Sequence, residues 1–204
     1  MSKMILHSYR RCPFAIRVRM VLEEKSISYL VIEESLKNKS KELLSLHPEG
    51  KVPLLIHDDF VLYQSSIITE YLEDVFPTPR LRPTTPVAKA QIRLWTYWCD
   101  SIFKPDLDQF KYKWRLYNDI ERSNLVERIN SHLKTMETAL LINPYLMGPG
   151  FSLADIHLFP FYRQLKKASP EFTTLFSSQN QCTKLDEWLK RIEERPSFTA
   201  VMER

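Results

Sequence analysis

Four prolines within ten residues, Pro77, Pro79, Pro83 and Pro86, cut the chain into two stretches whose hydrophobic patterns follow different periods. Proline removes a backbone donor and blocks helix interiors, so this density reads as a linker between domains. Before it, short extended runs alternate with helical ones. Met4-Ile5-Leu6-His7 and Ser28 to Ile32 predict strands, and Phe14, Val18, Val21 and Leu22 predict a helix from Pro13 through Glu24. A short helix is expected over Lys39 to Leu46. Val52 to Ile56 and Phe60 to Tyr63 flank His57-Asp58-Asp59 at hairpin spacing, and helical periodicity resumes from Ser65 through Val75. The order β-α-β-α-β-β-α predicts a small α/β sheet in which a crossover helix precedes a hairpin.

Beyond the linker only the helical period remains. Helices are expected over 87–117, 120–142, 152–168 and 183–195, with a last turn near 197–203. The expected domains are therefore 1–78, a linker at 79–86, and an all-helical 87–204. Gly148-Pro149-Gly150 stops the chain before Ser152, which reads as an N-cap with Asp155 three residues on to complete a capping box. Phe151 and Ile156 would staple that helix start.

Composition removes several function classes. With 44% hydrophobic residues the 204-residue chain can bury a sizeable core. Its three glycines lack the offsets of a dinucleotide fingerprint or a phosphate-cradling loop. The net charge of +4, divided as −1 over 1–78 and +5 over 79–204, is too mild to imply nucleic acid. The longest uncharged run, Thr138 to Ala154, is shorter than the ~20 residues that span a bilayer, and no membrane partner or secretion signal is expected. Cys12, Cys99 and Cys182 are too scattered for a disulfide framework or a metal site, which points to a reducing cytoplasm with Cys99 and Cys182 buried or incidental. His7, His47, His57, His132 and His157 share no ligand spacing, so no metal is expected.

Cys12-Pro13 lies where the first strand gives way to the first helix. Proline suits the first helical position, which puts Cys12 at the N-cap facing the positive end of the helix dipole. That position predicts a thiol more acidic than a free cysteine, with Arg10 and Arg11 adding to the effect. Ala15 stands where a second cysteine would complete a dithiol motif, so the chemistry should be monothiol.

Cys12-Pro13-Phe14-Ala15, the run Leu36-Lys37-Asn38-Lys39, Val52-Pro53, Gln64-Ser65 and the Ser152-to-Asp155 box occur in the order seen in cytosolic glutathione transferases, and the chain most resembles their omega class. The resemblance implies a thioredoxin-like, glutathione-binding N-terminal domain and an all-helical domain that supplies much of the second-substrate pocket. It implies that Cys12 is the catalytic nucleophile and that Phe14 lies beside the sulfur. It also implies that Lys39 pairs with the glycine carboxylate of glutathione, and that Val52, before a cis Pro53, offers its backbone to the cysteinyl part. Gln64 and Ser65 would take the γ-glutamyl end, with Gln64 standing where relatives often carry an acid. The implied activity is glutathione-dependent thiol transfer or dehydroascorbate-type reduction, on a small disulfide or electrophile, by a homodimer. A conventional conjugating transferase, a two-domain glutaredoxin and a noncatalytic protein of the stringent starvation type are the alternatives.

Overall fold

The computed structural model describes residues 3–168, 175–176 and 183–203, which excludes Cys182. The chain divides into two compact units, Met1–Leu81 with Arg195–Arg204, and Arg82–Glu194.

The first unit is built on a four-stranded sheet of β1 (Met4–Ser8), β2 (Leu30–Glu33), β3 (Leu54–His57) and β4 (Phe60–Tyr63), in the order β2-β1-β3-β4. β1 runs parallel to β2 and antiparallel to β3, and β3 pairs antiparallel with β4. Helix α1 (Pro13–Glu24) makes the crossover from β1 to β2, α2 (Lys41–Leu46) leads to β3, and α3 (Ser65–Val75) follows the hairpin. This is the thioredoxin-like arrangement. Leu6, Val18, Val21, Leu22, Leu54, Leu55, Ile68 and Leu72 are fully buried and form its core. The buried Lys25 at the end of α1 lies 2.5 Å from Glu73 of α3 and donates to the carbonyls of Phe76 and Pro79, each at 2.7 Å.

The second unit is helical: α4 (Pro86–Trp98), α5 (Lys104–Tyr112), α6 (Asp119–Ala139), α7 (Leu153–Ala168) and α8 (Thr183–Glu193). Helix α7 is buried at every residue from Leu153 to Tyr162, as expected of a helix surrounded by protein. By contrast α8 buries one stripe, Leu185, Trp188, Leu189 and Ile192.

Several boundaries differ from the sequence reading. The single helix expected over 87–117 is interrupted by a π-helical turn at Cys99–Phe103, ends at Tyr112, and is followed by a 3₁₀ turn at Trp114–Leu116. Pro105 has no N–H to continue the hydrogen-bond ladder, and a widened turn just before it accommodates the gap. Helix α6 starts one residue earlier than 120–142 because Asn118 and Glu121 form a reciprocal capping box, and it ends at Ala139 with Leu140 as its C-cap. α2 starts at Lys41 behind the cap Ser40, later than the expected Lys39. The second strand is shifted to Leu30–Glu33. The last helix, α9 (Pro196–Glu203), packs on α1 within the first unit, where Arg195 grips Glu24 through two 2.7 Å contacts, whereas the sequence reading put 197–203 with the helical domain.

Candidate active site

Cys12 occupies the N-cap of α1 in extended conformation with Pro13 next. Its half-buried sulfur lies 3.9 Å from the carbonyl of Val52, to which the thiol donates. The Val52-Pro53 peptide is cis, as is Thr78-Pro79, which sequence gave no reason to expect. Two distant segments thus meet at the end of β1 because β3 pairs antiparallel with β1, which sets Leu54, at the start of β3, opposite His7.

The thiol is not acidified. Burial pushes Cys12 above its ordinary value; the N–H groups of Ala15 and Phe14 and the charges of Arg19 and Arg17 pull it down by less. The expectation from the N-cap is therefore corrected. A helix terminus contributes ~0.3–1 kcal/mol where exposed, which burial of a thiolate overcomes, and donation to the Val52 carbonyl also favours the neutral form. The charges that act on the sulfur sit inside α1, in place of the expected Arg10 and Arg11. Since a raised pKa leaves thiolate to form only at higher pH, alkylation of the resting protein by iodoacetamide should show its midpoint above the ~8.5 of a free cysteine. Site assignment by peptide mass checks this, and a midpoint at or below that value would contradict it.

Ser65 begins α3 and is buried, and its Oγ accepts from Arg17 Nη1 at 3.2 Å. Accepting from the guanidinium leaves the Ser65 hydroxyl free to donate its proton, beside the unpaired N–H groups of a helix start. Gln64 precedes it, exposed, with φ at 70°, in the left-handed region unusual for a residue with a Cβ. Phe14 is half-buried with the Arg17 guanidinium 5.0 Å over its ring.

Lys39 separates itself from its neighbours, being half-buried where Lys37 and Lys41 are exposed. Its Nζ lies 3.9 Å from where a Cβ on Gly50 would stand. Gly50 has φ +56°, and a side chain there would come within 2.8 Å of Leu44 Cδ2, so the close approach depends on glycine. His47 is buried next to this lysine. Its own burial lowers its pKa, with Lys51 and Lys39 adding to the effect and Glu49 opposing it. The Glu49 N–H donates to its Nδ1 at 3.0 Å, which puts the neutral ring's proton on Nε2.

The site is thus a sulfur at one helix start, a hydroxyl at another, and a lysine near the turn that leads to Val52. Arg17, fully buried, ties the first two together, and sequence reasoning missed it. A charged residue on a helix reads as surface, and its partner is 48 residues away. Among the described residues no group of three or more His, Cys, Asp or Glu could hold a metal ion, and no described helix is long and apolar enough to cross a membrane.

Residues 2–74 match the family described as Glutathione S-transferase, N-terminal domain, and 119–204 match Glutathione S-transferase, C-terminal domain. The chain is 34% identical over 199 residues to the probable glutathione S-transferase parC of Nicotiana tabacum, covering 96% of this chain and 87% of that one. Among solved structures, the Tau class glutathione S-transferase of mango, Mangifera indica, superposes with a TM-score of 0.88 at 25% identity, covering 98% of this chain and 92% of that one. Glutathione transferase Omega 3C from Trametes versicolor gives 0.80 at 27% identity, covering 98% and 84%. The likeness extends to Tau-class as well as Omega-class proteins and does not single out the omega class. Fold, site and relatives agree at the level of the superfamily: this chain belongs to the glutathione S-transferases.

Proposed function

We propose that the protein is a glutathione-dependent thiol transferase of omega-like mechanism, working through Cys12 in the cytoplasm. The observation that carries the reading is a sulfur at the start of α1, against the Val52 carbonyl, on a helix that also holds the Ser65 hydroxyl through Arg17. Glutathione lies along this line. Its γ-glutamyl carboxylate accepts from Ser65 and the N–H groups at the α3 start, its amine meets Gln64, its cysteinyl backbone pairs with Val52, and its glycine carboxylate reaches Lys39. Phe14 flanks the sulfur.

The Cys12 thiolate attacks the glutathione sulfur of a mixed disulfide, forming a Cys12–glutathione disulfide and releasing the other thiolate. A second glutathione thiolate then attacks that sulfur, releasing oxidised glutathione and regenerating the Cys12 thiolate. With Ala15 three residues on, no neighbouring thiol resolves the adduct. A raised pKa makes the thiolate scarcer but more nucleophilic, so turnover should climb with pH beyond the range of an ordinary cysteine enzyme. Oxidised glutathione should leave one adduct of ~305 Da on Cys12, removed by excess reduced glutathione. No adduct would sink the reading, and no retention on immobilised glutathione would favour a noncatalytic binding protein.

One observation favours a second reading. A Cys12 kept protonated by burial can donate to a glutathione thiolate as a hydroxyl would, which is conjugating chemistry, and Tau-class relatives give that reading weight. Substitution of Cys12 separates the two.

We also propose a homodimer in which the first unit of one subunit meets the helical unit of its partner. Phe60 and Ile67 of the first unit are 56% and 55% exposed, and Val87, Leu94 and Tyr97, which recur at helical spacing along α4, are 62–69% exposed, side chains that such a contact would cover. The net charges of −1 over 1–78 and +5 over 79–204 are complementary. Light scattering at micromolar concentration should give twice the 24.2 kDa chain mass. The monomer mass would overturn the assignment.

A further inference from the structure

The seven residues from Glu34 to Ser40, which join β2 to α2 and carry Lys39, have no regular structure. A buried carboxylate closes them into a ring. The Glu34 N–H donates to the Ser8 carbonyl at 2.7 Å, which fixes the start of the connection to β1. Its side chain reaches across to the other end, where Oε2 accepts from the Ser40 N–H at 2.9 Å and Oε1 from the Ser40 hydroxyl at 2.5 Å. From β1, the fully buried His7 Nδ1 lies 2.7 Å from the same Oε1. Ser40 Oγ in turn caps α2 by accepting from the Leu43 N–H at 3.1 Å.

Every partner of this carboxylate is a donor. Burial pushes the Glu34 carboxyl up, but the Ser40 hydroxyl and N–H together with His7 outweigh it and hold Glu34 below the usual carboxylate range. An ionised, three-fold anchored carboxylate inside the protein is a rigid post. Lys39 is bonded directly to Ser40, so the post fixes the backbone of the lysine whose Nζ stands near Gly50.

We propose that Glu34 is a positioning residue for glutathione recognition: anchored by His7 and clamped on Ser40, it holds Lys39 where the ligand's glycine carboxylate arrives, without touching glutathione itself. This rests on the assignment of Lys39 above. It makes the glycine end of the ligand the part that reports on Glu34. Holding a long, rotamer-rich lysine in one place before the ligand arrives removes an ordering cost that binding would otherwise carry. Glu34→Gln replaces an acceptor oxygen with an NH₂ group facing a donor, either the Ser40 N–H or the Ser40 hydroxyl and His7, and so releases the clamp while keeping the shape.

The test is calorimetric titration of the full chain with reduced glutathione and with γ-glutamylcysteine, which lacks the glycine. The parent should bind glutathione about tenfold more tightly than γ-glutamylcysteine, as one charge-assisted contact allows. Lys39→Met should erase that difference. Glu34→Gln should weaken glutathione about fivefold and leave γ-glutamylcysteine unchanged, and the double variant should be no worse than Lys39→Met, since the two act through one contact. Ser40→Ala, which removes the hydroxyl half of the clamp, should show the same glycine-specific loss in smaller measure. Unchanged γ-glutamylcysteine binding also certifies that a variant is folded. If Lys39→Met keeps the full preference for glutathione, the assignment of Lys39 fails. If Lys39→Met loses it while Glu34→Gln and Ser40→Ala keep it, or weaken both ligands equally, the positioning role is overturned and Glu34 serves the fold alone.

Discussion

Cys12→Ser is expected to lower thiol transfer by about 10²-fold or more, because a serine hydroxyl is not a comparable nucleophile toward a disulfide and no other thiol lies three residues on. The substitution is nearly isosteric. At the N-cap a serine keeps the same approach to the Val52 carbonyl, and serine is itself a favoured cap, so the helix start should survive. Conjugation of glutathione to a carbon electrophile should persist or rise, since the new hydroxyl can donate to the glutathione thiolate and no protein sulfur competes for the adduct. The pH profile gives an independent check. The alkaline rise in the parent's thiol transfer belongs to the Cys12 thiolate and should vanish with it, whereas conjugation should follow the ionisation of bound glutathione in both proteins. Activity with a glutathione mixed disulfide and with an aromatic halide, measured side by side, decides the matter. Full reductase turnover in Cys12→Ser, with no adduct on the parent, would make this a conjugating transferase.

The sign of the Cys12 shift illustrates which parts of the site sequence could reach. Pro13 announces the helix start, and the dipole that acts on Cys12 follows from that one residue. Burial does not, because it depends on tertiary contacts such as that with the Val52 carbonyl, 40 residues away and 3.9 Å from the sulfur. The two effects oppose each other, and only the local one is written locally. Lys39 poses the same difficulty differently: Lys37, Lys39 and Lys41 are equivalent as letters, and only the chain path past Gly50 separates the half-buried one from its exposed neighbours. Arg17 and Arg19, both buried on α1, were invisible to a periodicity that counts charge as solvent-facing.

At the level of the fold, the proline cluster and the change of period mark a β-containing stretch followed by a helical one, and the hairpin and crossover order follow from run length and turn residues. The interrupted helix at Cys99–Phe103 was less legible because Trp95, Trp98 and Phe103 keep an apolar pattern running through the π turn, although Pro105 carried the warning. Class within the family is less legible than the family itself: the motifs from Cys12 to Asp155 resemble the omega class, while the likeness of the whole chain reaches Tau-class proteins as well.

Asp155→Asn should cost on the order of 4 kcal/mol of stability, well above the ~0.5–2 kcal/mol that a capping residue alone would explain. Sequence marked Asp155 as half of a capping box, and it does reach back to the Ser152 N–H at 2.9 Å and the Ser152 hydroxyl at 2.8 Å. It also accepts from the Leu146 N–H and from Trp188 Nε1, each at 2.9 Å. One fully buried carboxylate therefore joins the loop before α7, the start of α7 and the core of α8. Burial pushes this carboxyl up, against the pull of the four donors. Asparagine keeps the volume but turns an NH₂ toward either the Ser152 pair or the Leu146 and Trp188 pair, leaving buried donors unmatched at about 1–3 kcal/mol each before relaxation. For a chain of this length that corresponds to a melting temperature lower by about 10 °C. Ser152→Ala removes one of the four donors and should cost only about 1 kcal/mol. Thermal denaturation of both variants beside the parent tests the ranking. Because Asp155 belongs to the helical unit, the folded Asp155→Asn protein should still form the glutathione adduct on Cys12 at low temperature. Equal losses in the two variants would reduce Asp155 to an ordinary cap and remove Trp188 and Leu146 from its account.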